Sequence, residues 1–573
     1  MQPAQGTPEA LLATIAQSSN EMTQGWMRLV AGAAPAGALP PWIEALRRGG
    51  ERVAALQAAY VEKQTQLWSG LLTGNREPVA KAEPGDRRFS GAAWRDNAYY
   101  DYLRQSYLLA ARYVEEMIEA SELEPFAKAR ARFAARQWLD AMSPANFAAT
   151  NPEALREAIE SNGESVARGL AHLLEDARKG RISQSDESAF EVGRNVAVTP
   201  GEVVFENELI QLIQYRATTG KVARRPLVMI PPCINKFYIL DLRPDRSLVA
   251  HAVSSGHTVF MLSWRNVGPE QGHLAWDDYV ERGVLTALRV AREVCGTEQA
   301  NALGFCVGGT LLGAALAVLA QKGDDAVSSA TFLAALHDFA DTGQIGLFID
   351  AASVAARESQ IGRGGILPGS ELAFVFSSLR ANDLVWPYVV NNYLKGERPP
   401  AFDLLFWNAD STNLPGPMYC QYVRNTYLEN KLCRPGALVN CGVPVDLGKV
   451  ELPLFVLATR EDHIVPWRSA YRTVHAMGGR DKTFVLGASG HVAGIVNPPA
   501  KNRRSYWTGE PYPEDADAWL AAADQHAGSW WTAWSHWLDR HRGGERAAPS
   551  VPGNVQHRPI EAAPGRYVKQ RIH

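Results

Sequence analysis

Net charge is nearly absent from this chain: 58 lysines and arginines face 61 aspartates and glutamates, leaving −3 over 573 residues. That balance gives no electrostatic footing to a nucleic-acid binder. Cysteine is scarce as well. The six present (Cys233, Cys295, Cys306, Cys420, Cys433, Cys441) are scattered and include no C-x-x-C pair, which argues against a zinc site, and the reducing compartment expected below argues against a disulfide framework. The opening "MQPAQGTPEALLATIAQ" lacks the basic start and apolar core of a secretion signal, so the cytoplasm is the expected compartment. One uncharged run, Ala300 to Gln321, is long enough to suggest a membrane span. Gly304, Gly308 and Gly309 divide it, and the run reads instead as a short buried strand followed by a helix. Internal repeats are also lacking.

What is present is the composition of a soluble globular protein, 46% hydrophobic and 21% charged, in a chain too long for one compact core. Residues 1–90 are helix-biased and Ala-rich, with the opening 20 weakly structured. Residues 91–200 are expected to form a helical N-terminal domain: Leu103, Tyr107, Ala110, Val114 and Met117 share one helical face, and in "NPEALREAIESNG" Asn151 can cap, Pro152 suits the first turn and Gly163 can end the helix. The period then changes. "EVVFENELIQLIQYR" reads as a strand pair or long strand. "PLVMIPP", "HTVFMLSWR", "ANALGFC", "VSSATFLAAL", "LPLFVLATR" and "KTFVLG" are short apolar runs with helical stretches between several of them. Such alternation predicts an α/β fold, a mostly parallel sheet with helices on both faces, over 201–339 and 450–540. Residues 340–449, aromatic and rich in Pro and Asn, interrupt the alternation and are expected to form an inserted cap or lid. The tail, 541–573, is expected along the surface.

In "LGFCVGG", Cys306 stands between Gly304 and Gly308, after an apolar strand and before a Gly-led helix. A strand that turns sharply into a helix needs small residues on both sides of its apex, and the apex side chain then projects above the sheet. This is the G-x-S-x-G elbow of α/β-hydrolases with sulfur for oxygen, and it sets the thiol near a helix N-terminus that favours thiolate. The acid and base follow in the order this fold uses. Asp462 ends the strand "LPLFVLAT", with Glu461 as its rival; His491 lies between glycines after "KTFVLG". His337, His463 and His475 read as structural. For the oxyanion, the backbone N–H of Val307 is the expected first donor; the loop "IPPCINKF" supplies the second through Cys233 or Ile234, because Pro231 and Pro232 have no N–H. Lys501, Arg503 and Arg504 form a basic run shortly after His491, and Ala493 lies two residues beyond it. No metal or other cofactor is expected.

Sulfur attacking a thioester exchanges one thioester for another, so the acyl group stays activated for a second acceptor. Cysteine at the elbow therefore fits an acyltransferase acting on acyl thioesters. From about Phe89 to Trp507 the chain resembles the class I polyhydroxyalkanoate synthases, on "DESAFEVGRNVA", "VVFENELIQLI", "PPCINKFYILDL", "SWRN", "WDDYV", "LGFCVGGT", "NDLVWPYVVNNYLKG", "REDHIVP" and "GASGHVAGIVNPPAKNRRSYW". The resemblance implies an α/β-hydrolase core with a Cys306–Asp462–His491 triad that polymerises (R)-3-hydroxyacyl-CoA, short-chain in class I, with release of CoA. It further implies a homodimer working at the surface of cytoplasmic polyester granules, where granule-coating proteins are further partners. CoA carries several phosphates, so the basic run is a candidate CoA contact, with a solvated basic turn as the alternative, and Ala493 is placed to influence acyl choice. A thioesterase or polyester depolymerase of the same fold is the alternative, and a silent granule-coating protein is the reading outside catalysis.

Overall fold

The computed structural model describes residues 50–75 and 77–571, so the weak structure expected for the opening 20 residues lies outside the described residues. The described residues form two compact units, those up to 184 with 380–399, and 185–379 with those from 400 on. The first is helical: α1 (Gly50–Thr73), α2 (Ala98–Ala120), α3 (Pro125–Ala141), α4 (Pro152–Glu160) and α5 (Glu164–Lys179). Asn151 caps α4 as its sequence predicts, accepting from the N–H groups of Glu153 and Ala154, with Pro152 in the first turn. The unit ends short of residue 200, and it includes Arg380–Pro399 from within the stretch expected as cap. Tyr393 Oη donates to Asp176 at 2.8 Å, Lys395 pairs with Glu153 at 2.7 Å, and Asn382 donates to Asp140 at 2.7 Å.

The second unit is built on one sheet. Its strands are β1 (Gly201–Glu206), β2 (Ile210–Tyr215), β3 (Leu227–Ile230), β4 (Val259–Trp264), β5 (Ala300–Phe305), β6 (Val327–Leu333), β7 (Leu454–Thr459), β8 (Lys482–Gly487), β9 (Ser505–Thr508), β10 (Asp524–Ala527) and β11 (Glu561–Ala562). They lie in the order β10-β9-β8-β7-β6-β5-β3-β4-β2-β1-β11. The six central strands from β8 to β4 run parallel, and antiparallel pairs flank them on both sides. "EVVFENELIQLIQYR" is thus a hairpin, β1 and β2. The central strands are buried on both faces, which is why they read as unbroken apolar runs. Two hydrophobic clusters cover opposite faces of the sheet; Val228 and Ile230 of β3 join one, Leu227 and Met229 the other.

Val307–Lys322, helix α6, follows β5, so the uncharged run is a strand and a buried helix. Among the described residues no helix is long and apolar enough to cross a membrane. The tail departs from expectation. Glu545–Ala547 pairs with Lys221–Ala223, β11 extends the sheet edge, and Tyr567 and Val568 are buried. Its apolar residues are too few and too far apart to show a period in sequence, yet Tyr567 and Val568 are buried while Val551, Val555 and Ile560 stay exposed.

Candidate active site

Cys306 is the turn between β5 and α6, with φ 53° and ψ −128°. That φ is strained for a residue with a Cβ and is tolerated because the surroundings fix it. The Cys306 N–H donates to Leu333 O at 3.0 Å, and its carbonyl accepts from Gly309 at 2.8 Å. The glycines answer to close approach. A Cβ on Gly304 would lie 2.5 Å from the Gly309 Cα, and one on Gly308 would lie 2.4 Å from the Ile230 carbonyl oxygen. The loop after β3 can therefore pass against the first turn of α6, whose leading N–H groups have no intrahelical acceptors. Val307, the first residue of that turn, and Cys233 and Ile234 on that loop are brought to the same end of the sheet.

His491 opens α7 (His491–Ile495) and is buried. Its Nδ1 is 2.7 Å from Asp462 Oδ2, its ring stacks on Phe305 at 5.3 Å, and the Cys306 sulfur lies close enough to raise its pKa. Burial pulls the imidazole toward neutrality, but the Asp462 charge, the nearby sulfur and the hydrogen bond to Asp462 outweigh it and push the pKa up to about 10. Asp462 is wholly enclosed, and burial disfavours its charge. The His491 charge and bonds from the N–H groups of Ile464 and Val465 at 2.9 and 2.8 Å nevertheless hold it below the usual carboxylate range. Thr459 Oγ1 also donates to it at 2.8 Å. Glu461, the rival acid, accepts from the Ser489 N–H and ties the two loops together. His337 is deeply buried between Thr473 Oγ1 at 3.0 Å and the Gly309 carbonyl at 3.2 Å, and His475 reaches the Pro513 carbonyl at 3.2 Å.

The basic run is less converged. Lys501 is paired with Asp245 at 3.0 Å, while Arg503 and Arg504 are exposed on the same loop. Ala493 is half-buried in α7. Among the described residues no cluster of His, Cys, Asp and Glu could hold a metal ion.

Several residues at the site are not apparent in sequence. Tyr422 and Tyr427, from the inserted segment, pack edge to face with rings 5.6 Å apart, and both feel the Cys306 charge. Burial above all pushes both phenols up, and outweighs the lowering that Tyr422 exerts on Tyr427, so they stay protonated. The indoles of Trp530 and Trp531, on α8 (Trp530–Asp539), donate to the Gly494 and Ile495 carbonyls at 2.9 Å each and bolt down the helix that carries His491. The run "SWWTAWSHW" signals a buried helix in sequence but not what it holds.

The family model described as "Poly-beta-hydroxybutyrate polymerase (PhaC) N-terminus" matches residues 85–252, and the model for the alpha/beta hydrolase fold matches 226–498. The chain is 53% identical to the poly(3-hydroxyalkanoate) polymerase subunit PhaC of Cupriavidus necator, over 90% of this chain and 88% of that one. It is 43% identical to the poly(3-hydroxyalkanoate) polymerase of Methylorubrum extorquens over 91% of this chain and 87% of that one. With the subunit PhaC of Rhizobium meliloti it shares 40% identity over 92% and 87% of the two chains. The chain belongs to the poly(3-hydroxyalkanoate) polymerase family, on an α/β-hydrolase fold.

Proposed function

We propose that this protein is an acyltransferase that polymerises (R)-3-hydroxyacyl-CoA, of short chain length, into polyhydroxyalkanoate through an acyl-Cys306 intermediate. One observation carries the reading: in a chain of this family, a cysteine at a strained strand–helix apex lies beside a buried histidine that is itself bonded to an enclosed carboxylate. His491 takes the proton of the Cys306 thiol, and its raised pKa favours the imidazolium so formed. The thiolate attacks the thioester carbonyl, with the Val307 N–H and that of Cys233 or Ile234 receiving the oxyanion. The C–S bond to CoA breaks, CoA takes the proton from His491, and the acyl group remains on Cys306. The 3-hydroxyl of another unit then attacks that thioester, His491 takes its proton, an ester forms and the Cys306 sulfur is released. The four hydrogen bonds on Asp462 support an orienting role for it. We further propose a homodimer at a polyester granule surface, with CoA near Arg503 and Arg504 and acyl choice sensed near Ala493.

The test supplies (R)-3-hydroxybutyryl-CoA and follows CoA release and turbidity together. Release with rising turbidity, both lost in Cys306→Ala, is expected. Release of free acid without turbidity would replace this reading with a hydrolase of the same fold.

A further inference from the structure

The stretch Pro231–Lys236 belongs to no strand of the sheet, yet most of its carbonyls are held one by one. Trp264 Nε1 donates to the Pro231 carbonyl at 2.9 Å, and Trp407 Nε1 to that of Lys236 at 2.7 Å. Between them, Thr412 works twice: its hydroxyl donates to the Cys233 carbonyl at 2.7 Å and its N–H to the Ile234 carbonyl at 2.8 Å. Thr412 is 1% exposed, and Gly369 makes room for it, since a Cβ there would lie 2.6 Å from the Thr412 carbonyl oxygen. In a trans peptide the C=O and the following N–H point in opposite directions. By fixing the Cys233 carbonyl, the Thr412 hydroxyl therefore fixes the direction of the Ile234 N–H, one of the two candidate oxyanion donors on this loop. Such donors act only if they are aimed before charge develops. Thr412 lies in the inserted segment, as do Tyr422 and Tyr427 near the sulfur.

We propose that Thr412 is a positioning residue that ties the inserted segment to the oxyanion loop, so that the element covering Cys306 also aims the loop's donor. This rests on the acyl-Cys306 reading. Its test compares Thr412→Val, which keeps shape and removes the hydroxyl, with Thr412→Ser, which restores it. Three quantities are measured: kcat for CoA release, KM, and the rate at which iodoacetamide alkylates Cys306, a reaction that needs thiolate but no oxyanion donor. Thr412→Val is expected to lower kcat by about tenfold or more. KM and alkylation are expected to stay within about twofold, and Thr412→Ser to recover most of kcat. Undiminished kcat in Thr412→Val, or alkylation falling in step with kcat, would overturn the proposal. A Cys306→Ala control that still releases CoA would instead overturn the acyl-Cys306 reading beneath it.

Discussion

Cys306 holds a left-handed φ because the residues around it leave its neighbours no room for side chains. At Gly308 a methyl group would meet backbone, the Ile230 and Pro231 carbonyls, and backbone cannot swing aside as a flexible side chain can. Gly308→Ala is therefore expected to destabilise the fold by about 1–3 kcal/mol and to push the β3 loop off α6. Calorimetry with a parallel turnover assay checks this; wild-type stability and turnover together would contradict it. The His491–Asp462 pair gives a second outcome at this scale. His491 is raised from 6.5 to about 10, so its contribution to stability is full below pH 6.5 and is lost as pH rises through about 10. Asp462 is lowered from 3.8, so its contribution is present above that value and is lost as pH falls below it. The gap in thermal midpoint between wild type and Asp462→Asn should be widest at about pH 4–6.5 and narrow toward pH 10. A gap that widened between pH 7 and 10 would contradict the pairing. Cys306, Asp462 and His491 were legible in the sequence because each sits beside glycine or at the end of an apolar strand, in one fixed order. Tyr422, Tyr427 and Thr412 were not, because they reach the site across an insertion with no period to read.

At the scale of elements, α7 is five residues long and too short to hold itself, so its place depends on α8. Replacing Trp531 by Phe keeps most of the ring and removes the bond to the Ile495 carbonyl. Leaving that carbonyl unsatisfied is expected to cost about 1–3 kcal/mol. kcat is expected to fall more than KM changes, because His491 rides on the same helix. Denaturant unfolding and steady-state kinetics separate the two effects, and a change in KM alone would contradict this dependence. The sheet strands were legible because burial on both faces makes continuous apolar runs. The α2 face was less so: Gln105 and Leu109 are its most enclosed members near the middle, and Gln105 is buried because its side-chain oxygen accepts from Val79 and Ala80. A buried glutamine bonded to backbone has no hydrophobic signature. The basic loop gives a further outcome. Arg503→Ala with Arg504→Ala should raise KM for the CoA substrate severalfold and leave kcat nearly unchanged. An unchanged KM would remove CoA from that loop.

For the whole molecule, the division of labour follows the two units. The second carries the sheet, the elbow and Cys306, Asp462 and His491, and the first brings none of these three. The inserted stretch was legible as an interruption of strand–helix alternation. That 380–399 belongs with the helical unit was not, since long-range packing leaves no mark on local composition. The tail behaves likewise, with β11 and Val568 completing a core begun some 350 residues earlier. On the proposed mechanism this molecule carries its acyl group on Cys306. An acyl-CoA without the 3-hydroxyl can load the sulfur but cannot extend a chain. The direct measurement is the rapid release of CoA from such an analogue, with intact-protein mass recorded in parallel. A burst of about one CoA per active chain, matched by one acyl group mapped to Cys306 and absent in Cys306→Ala, is the expected result. Steady release without an acylated protein, or a burst that survives in Cys306→Ala, would contradict it.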